Sequence, residues 1–395
     1  MKQNYVVSTS PHVTSHRTTK QIMIDVIIAL VPALIASVLL YGFYPLLVCL
    51  LSVGSAVLGE FIYNKARKHE STLGDCSAVV TGLIFGLNLP PVLPLYIPII
   101  GGVFATLLVK MLFGGIGKNF ANPAITARIF VMLAWTVPMT KYVAPIDLNA
   151  GFSEMFKYFS FMNPEKLDTI STATPLIALK NGVVDVKFID MFFGRIGGSA
   201  GEVSALALLI GGVYLVCRKV IDWKIPVIYI ATYFLFTLIL FKNAETALYG
   251  VFCGGLLFGA IFMATDYATS PNTAIGVSVY AFGCGLLTAI FRKFGAMPEG
   301  VSFAILLMNI VTPLLDKYIQ PKPFGYVKPE NPRREQRRCR HNEGYRKNRY
   351  RIEYYCYYRW CTFRLRQQRD LSHPRRKAAT QPCQGLRWCK RLRNR

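Results

Sequence analysis

Charge is scarce in this chain. Asp, Glu, Lys and Arg make up 17% of its 395 residues, while 53% are hydrophobic. A soluble globular domain rarely combines so large an apolar share with so few charges, which excludes that class. Histidine is sparse too, and His12 and His16 lack the partners of a metal site. The cysteines before residue 329 (Cys49, Cys76, Cys217, Cys253 and Cys284) are scattered. They show no zinc or iron–sulfur spacing and are expected to act as small apolar side chains. No Gly-x-Gly-x-x-Gly follows a strand. The Gly114–Asn119 segment lacks the Ser or Thr after Gly-Lys that a phosphate-binding loop requires. No dinucleotide site is therefore expected. Residues 1–20 are polar and lack the apolar core and cleavage site of a signal peptide.

What is abundant is apolar sequence. Runs such as Val26–Tyr41 and Val203–Val216 suit a bilayer, which a helix of about 20 mostly apolar residues crosses. Ten segments are predicted, near 22–41, 44–64, 76–89, 94–113, 124–139, 197–216, 223–241, 246–264, 272–291 and 297–315. The third is short and stops at Pro90-Pro91, which suggests a half-length helix lining a cavity. The layout is a terminus (1–20), five helices (21–139), one long polar connection (140–195), five helices (196–328) and a tail (329–395). The fold class is an all-α membrane protein. Gly74-Asp75-Cys76-Ser77-Ala78-Val79 and Gly201-Glu202-Val203-Ser204-Ala205-Leu206 each open an apolar helix. That likeness predicts two five-helix repeats, inverted in the bilayer because five is odd.

Basic residues in short loops set orientation. Lys20, Lys65, Arg67, Lys68, Lys110, Lys118, Arg218, Lys219, Lys224, Lys317 and Lys322 all fall on one side, which is then cytoplasmic. The N-terminus shares that side, and the 140–195 connection is extracytoplasmic. Lys141, Arg292 and Lys293 run against the bias.

The net charge of +24 is concentrated at the end. Residues 329–395 hold 21 Lys and Arg against 5 Asp and Glu, and 18 of the 21 are Arg. Residues 1–328 hold 18 Lys and only 6 Arg. A basic nucleic-acid-binding tail is one reading; a change of reading frame is the other. Shifting the codons of Tyr354–Cys361 by one base turns Tyr into Ile or Thr, Cys into Val or Ala, and Trp360 into Gly. That is the start of an apolar helix. The tail is therefore left out of the functional reading, and no nucleic-acid partner is expected.

The sharpest motif is Asp168-Thr169-Ile170-Ser171-Thr172-Ala173-Thr174. It resembles the Asp-x-x-Ser/Thr-Gly-Ala-Thr acceptor of flavin transferases, with Thr172 where Gly is usual. Such enzymes join the phosphate of flavin mononucleotide (FMN) to the threonine hydroxyl. The bland reading is a Ser/Thr-rich turn. Around it stand Ser10-Pro11-His12, Gly74–Ala78, Gly114–Ala124, Gly197–Glu202, Phe262–Pro271 and Pro323–Tyr326. Their order resembles the family formed by the D subunit of Rnf-type ion-translocating complexes and the B subunit of sodium-pumping NADH:quinone reductases. The short N-terminus is closer to the Rnf member.

The resemblance implies a urea-transporter-like scaffold in the inner membrane. It implies a subunit that carries covalent FMN on Thr174, with Asp168, Ser171, Thr172 and Ala173 as the transferase recognition motif. It further implies partner Rnf subunits, a flavin transferase for maturation, and electron transfer between ferredoxin and NAD coupled to Na⁺ or H⁺ movement. The quinone-reductase subunit and a non-redox transporter on the same scaffold are the alternatives. Asn119, Asn122 and Arg128 are candidates to contact a second, non-covalent flavin or to order their loop. Asp25, Glu60, Asp75, Glu202 and Asp266 are acids in or near spans, where charge is costly. Asp75, Glu202 and Asp266 are the ion-path candidates. For Asp75 and Glu202 the helix dipole offers an equal explanation. Asp266 stands among Thr265, Thr269 and Ser270, oxygen donors that suit a hard cation.

Overall fold

Thr18 opens the first helix with a reciprocal cap: its hydroxyl accepts from the Gln21 amide, and the Gln21 side chain accepts from the Thr18 amide. This satisfies two donors that the first turn would otherwise orphan. The resulting helix α1, Thr19–Tyr41, is followed after Gly42 by α2, Tyr44–Arg67. The computed structural model describes residues 17–68, 72–146, 155, 171–172, 176, 187–202, 204–295 and 299–319. After α2 come α3 (Ser77–Leu87) and α4 (Tyr96–Met111), whose second half, from Phe104, is π-helical. Then follow α5 (Pro123–Ala134) and the short α6 (Thr136–Thr140). Strands β1 (Tyr142–Val143) and β2 (Ser171–Thr172) pair antiparallel, Tyr142 opposite Thr172. The second half comprises α7 (Phe188–Phe193), α8 (Ala205–Cys217), α9 (Lys224–Phe241), α10 (Ala244–Phe252) and α11 (Leu256–Met263). Helices α12 (Ala274–Phe294) and α13 (Val301–Tyr318) complete it.

The chain forms two units, Met1–Pro321 and Lys322–Arg395. The second contains the Arg-rich tail and lies outside the described residues.

Among the described residues five helices (α1, α2, α9, α12 and α13) are long and apolar enough to cross a membrane. The pair α10–α11, bent by 61° at its break, is apolar enough to count as a sixth span or to form a re-entrant loop. Four shorter apolar helices, α3, α4, α5 and α8, occupy other predicted segments. Ile35, Leu39, Leu50, Leu58, Val213, Leu235 and Ile239 point outward, each more than half exposed. An apolar outer face of this kind fits a multi-pass membrane protein, whose solvent is hydrocarbon.

The helices differ from the predicted segments in instructive ways. The segment at 76–89 is indeed half-length and stops before Pro90-Pro91. The segment at 197–216 begins its helix only at Ala205, because the preceding backbone is engaged elsewhere. Ala200 and Gly201 donate to the carbonyls of Leu89 and Leu87 at 3.0 and 2.7 Å, running alongside the end of α3. This places Glu202 beside Asn88 and α5. Helix α3 itself lies close against α2: a Cβ on Gly82 would stand 2.6 Å from the Val53 Cα. Gly82 and Gly86 thus allow the close packing that small residues give in membranes. Helix α1 packs on α8, and α9 on α12.

Candidate functional site

The break between α10 and α11 explains several of these residues together. Gly254 and Gly255 both adopt left-handed backbone, with φ of 63° and 65°, which glycine accepts without steric cost. The break frees the carbonyl end of α10, and Arg292 from α12 reaches in to cover it. Its guanidinium donates to the carbonyls of Gly250, Cys253 and Gly254 and to the Tyr233 hydroxyl, at 2.5–2.9 Å. A cation at a helix C-terminus is stabilised by the dipole as well as by the hydrogen bonds. Arg292 is therefore no loop charge: it is 4% exposed, and its conflict with the orientation rule disappears. On the other side of the break, the Glu202 carboxylate fills the space where a Cβ of Gly255 would stand, only 2.3 Å away.

Glu202 belongs to a buried cluster centred on Arg128 of α5, which is 3% exposed. Arg128 Nη1 donates to Glu202 Oε1 at 3.0 Å and also to Asn88 Oδ1. Arg128 Nη2 pairs with Glu299, which precedes α13. The Tyr142 hydroxyl donates to the other Glu299 oxygen at 2.5 Å. Tyr142 sits on β1, whose partner strand is Ser171–Thr172 of the predicted acceptor motif. A polar chain thus leads from the motif strand inward to Arg128. It continues through Asn88, whose amide touches Met263 Sδ at 3.5 Å, to Asn122, which donates to the Met263 carbonyl at 3.4 Å.

Asn122 opens onto a cleft walled by α1, α3, α8 and α11, where Ser77, Thr81, Lys110, Asn119 and Asp266 also line the surface. Asn119 Oδ1 is buried there without a hydrogen-bond partner. The cleft offers about 90 Å³ of free room. Asp266 turns back on its own loop, accepting from the Ala268 amide at 3.2 Å and the Thr269 hydroxyl at 3.3 Å. Burial lifts its carboxyl above the usual range, and these two donors work against that.

The predicted site residues therefore separate into three groups. Asn119, Asn122 and Asp266 share the cleft, and Arg128 and Glu202 share the inner cluster. Asp75 stands apart in a one-turn helix before α3, half-exposed, so it and Glu202 have unlike surroundings. A closer internal likeness joins Gly82-Leu83-Ile84-Phe85-Gly86 in α3 to Gly255-Leu256-Leu257-Phe258-Gly259, which spans the start of α11. Asp168, Ala173 and Thr174 lie outside the described residues; Ser171 and Thr172 are described as strand. Just beyond them Leu176 is buried against Met191 and Cys253, next to the α10–α11 break. Among the described residues no three His, Cys, Asp or Glu side chains converge on a metal position.

Sequence reasoning missed Asn88, Tyr142, Ser199, Arg292 and Glu299. Glu299 carried a usable signal as a lone acid between two predicted spans.

The sequence profile of the NQR2, RnfD, RnfE family matches residues 6–325. The chain belongs to the NQR2, RnfD, RnfE family. The D subunit of the Na⁺-translocating ferredoxin:NAD⁺ oxidoreductase complex of Acetobacterium woodii is 42% identical over 329 residues. That alignment takes in 82% of this chain and 96% of the relative. The D subunit of the proton-translocating ferredoxin:NAD⁺ oxidoreductase complex of Clostridium ljungdahlii is 36% identical, covering 82% of this chain and 97% of the relative. The D subunit of an ion-translocating oxidoreductase complex of Escherichia coli is 33% identical, covering 82% and 99%. The family profile stops at residue 325, just before the Arg-rich tail.

Proposed function

We propose that this chain is the membrane subunit of an ion-translocating ferredoxin:NAD⁺ oxidoreductase complex, bearing FMN as a phosphodiester on Thr174. The relatives named for such complexes support the assignment. The observation that carries the site is the β1–β2 pair: the strand entering the acceptor motif is tied to Tyr142 and, through it, to the buried Arg128 cluster. A Thr between an anchored strand at Thr172 and a buried Leu176 suits a segment that a transferase modifies and the fold then holds. The flavin supplies one-electron and two-electron chemistry when attached. This chain's own residues anchor the segment and bury charge next to it.

The reading includes ten membrane-crossing or membrane-dipping helices in two inverted halves, with the N-terminus cytoplasmic and the 140–195 connection outside. The shared Gly-Leu-x-Phe-Gly pattern of α3 and α11 supports the two halves. NAD and ferredoxin are handled by partner subunits, and the ion-path candidates are Asp75, Glu202 and Asp266. A second, non-covalent flavin belongs to the same reading, with Asn119, Asn122 and Arg128 as its candidate contacts or as the residues that order their loop. The tail from 329 is the product of a shifted reading frame, consistent with the family match ending before it.

The test is intact-peptide mass spectrometry of the 140–195 connection after co-expression with a flavin transferase. The expected result is a mass gain of FMN less one water, lost in Thr174→Ala. An unmodified peptide under those conditions would remove the redox assignment and favour a plain transporter.

A further inference from the structure

The Arg128 cluster is unbalanced. Two carboxyl groups, Glu202 and Glu299, share one guanidinium, and all three are largely buried. A net negative charge held away from water is costly, and the cheapest remedy is a proton on one of the two acids. Their surroundings tell them apart. Glu299 accepts from Arg128 through one oxygen and from the Tyr142 hydroxyl through the other, which suits an ionised carboxylate. Glu202 accepts from Arg128 only at Oε1, while its Oε2 is buried with no hydrogen-bond partner. Beside it stands the fully buried Ser199 hydroxyl, the neighbour within reach of the Glu202 carboxyl group. A serine hydroxyl can donate to an ionised carboxylate or accept from a protonated one, so Ser199 serves Glu202 in either state. A carboxylate oxygen only accepts, whereas a protonated one donates.

We propose that Glu202 is a proton-exchange site, its Oε2–H directed to the Ser199 hydroxyl and its other oxygen held by Arg128. The step makes and breaks only O–H bonds: water delivers the proton to the Glu202 carboxylate and takes it back. When the proton leaves, Arg128 compensates both Glu202 and Glu299; when it returns, Arg128 belongs mainly to Glu299. The charged and titratable groups around Glu202 are Arg128 on α5, Glu299 before α13, Tyr142 on β1 and Arg292 across the α10–α11 break. Two oxygens are enough for a proton and far fewer than the 6–8 that a hard cation such as Ca²⁺ takes. The site also lies where the end of α3, the approach to α8 and the α10–α11 break meet. A proton there is sensed by both halves of the molecule. The inference deepens the ion-translocation reading and rests on it for the transport role, while the protonation itself requires no flavin.

The test is infrared difference spectroscopy of the full chain in its assembled complex, recorded in H₂O and D₂O and across a reduction step. The expected result is a protonated-carboxyl C=O band that shifts in D₂O, changes on reduction, and is absent in Glu202→Gln. It should persist in Glu299→Gln and move to higher frequency in Ser199→Ala, which keeps the acid but removes its acceptor. Glu202→Gln mimics the neutral acid, so its thermal unfolding should match the wild type. A spectrum unaltered by Glu202→Gln, or a marked loss of stability in that variant, would overturn the proposal. So would a band that is indifferent to D₂O, since that proton does not exchange; a band that shifts in D₂O but ignores reduction in the flavin-bearing complex would overturn its part in transport. Repeating the measurement in Thr174→Ala separates the two readings: band present with no flavin mass in the wild type means that only the flavin assignment fails.

Discussion

Two buried ion clusters in this protein solve the same problem differently. In the first, Lys110 of α4 reaches Glu60 of α2 at 2.7 Å, with both residues essentially inaccessible. The second Glu60 oxygen accepts from the Thr72 hydroxyl, and Lys110 also donates to Ser77 at 2.6 Å. Charges balance one to one, both carboxylate oxygens are partnered, and every member lies within the first 110 residues. In the second, Arg128 faces two acids from the other half of the chain, and a carboxyl oxygen is left over. A balanced, satisfied cluster is a fixed joint, because any proton added to it breaks a partnership. An unbalanced one has a free valence for a proton. The difference teaches that charge within a membrane span need not mean transport; stoichiometry and satisfaction separate the joint from the site.

The strongest way to break the comparison is to remove each cation. Arg128→Met leaves two carboxyl groups and the Asn88 oxygen without their donor. Stranding a buried charge in this way costs about 3–5 kcal/mol, which should appear as a large drop in thermal stability of the purified protein. Lys110→Met strands Glu60 alone and should cost somewhat less, within the same range of about 3–5 kcal/mol. The two then diverge on repair. Lys110→Met combined with Glu60→Gln should recover most of the loss, because the pair is self-contained. Arg128→Met combined with Glu202→Gln should recover little, because Glu299 is still stranded. Equal recovery in both double variants would mean that the clusters are alike after all.

Much of the scaffold was legible in the sequence, and the reasons are local. Thr18 and Gln21 mark the start of α1, Pro90-Pro91 follow the end of α3, and Gly82 and Gly86 announce a close helix contact. The break in α10–α11 is written in Gly254-Gly255, although an apolar average over 246–264 conceals it. The site was only half legible. Arg128, Glu202 and Asn122 stood out as polar residues among apolar neighbours. Their partners did not, because Arg128 and Glu299 are 171 positions apart and nothing in either neighbourhood encodes the pairing. Arg292 was misplaced for the same reason. Counted as a loop charge it contradicts the orientation rule, and only the folded chain shows the four oxygens that it binds.

Tyr142→Phe probes the link between the cluster and the acceptor strand. It removes one hydrogen bond to a carboxylate, worth about 1.5–3 kcal/mol, and leaves the backbone pairing of β1 with β2 intact. Stability should fall modestly, whereas flavin attachment at Thr174, read by peptide mass, should be unaffected. If attachment fails while the fold survives, Tyr142 does more than brace the strand.

The smallest effect is expected from Asp25→Asn. Asp25 is itself buried, yet its partner Arg218 has a side chain about half exposed, in contact with water. Asp25 also accepts from the Tyr214 hydroxyl at 3.1 Å, which an Asn oxygen can do equally well. The lost charge pairing is screened by solvent around Arg218, so the unfolding temperature should scarcely move and should depend little on salt. This pair is the third case that the comparison needs: one acid to one cation, as at Glu60, but with water within reach. If Asp25→Asn instead destabilised the protein as much as Lys110→Met does, burial of the acid alone would set the cost. The exposure of the partner, and with it the distinction between joint and site, would lose its physical basis.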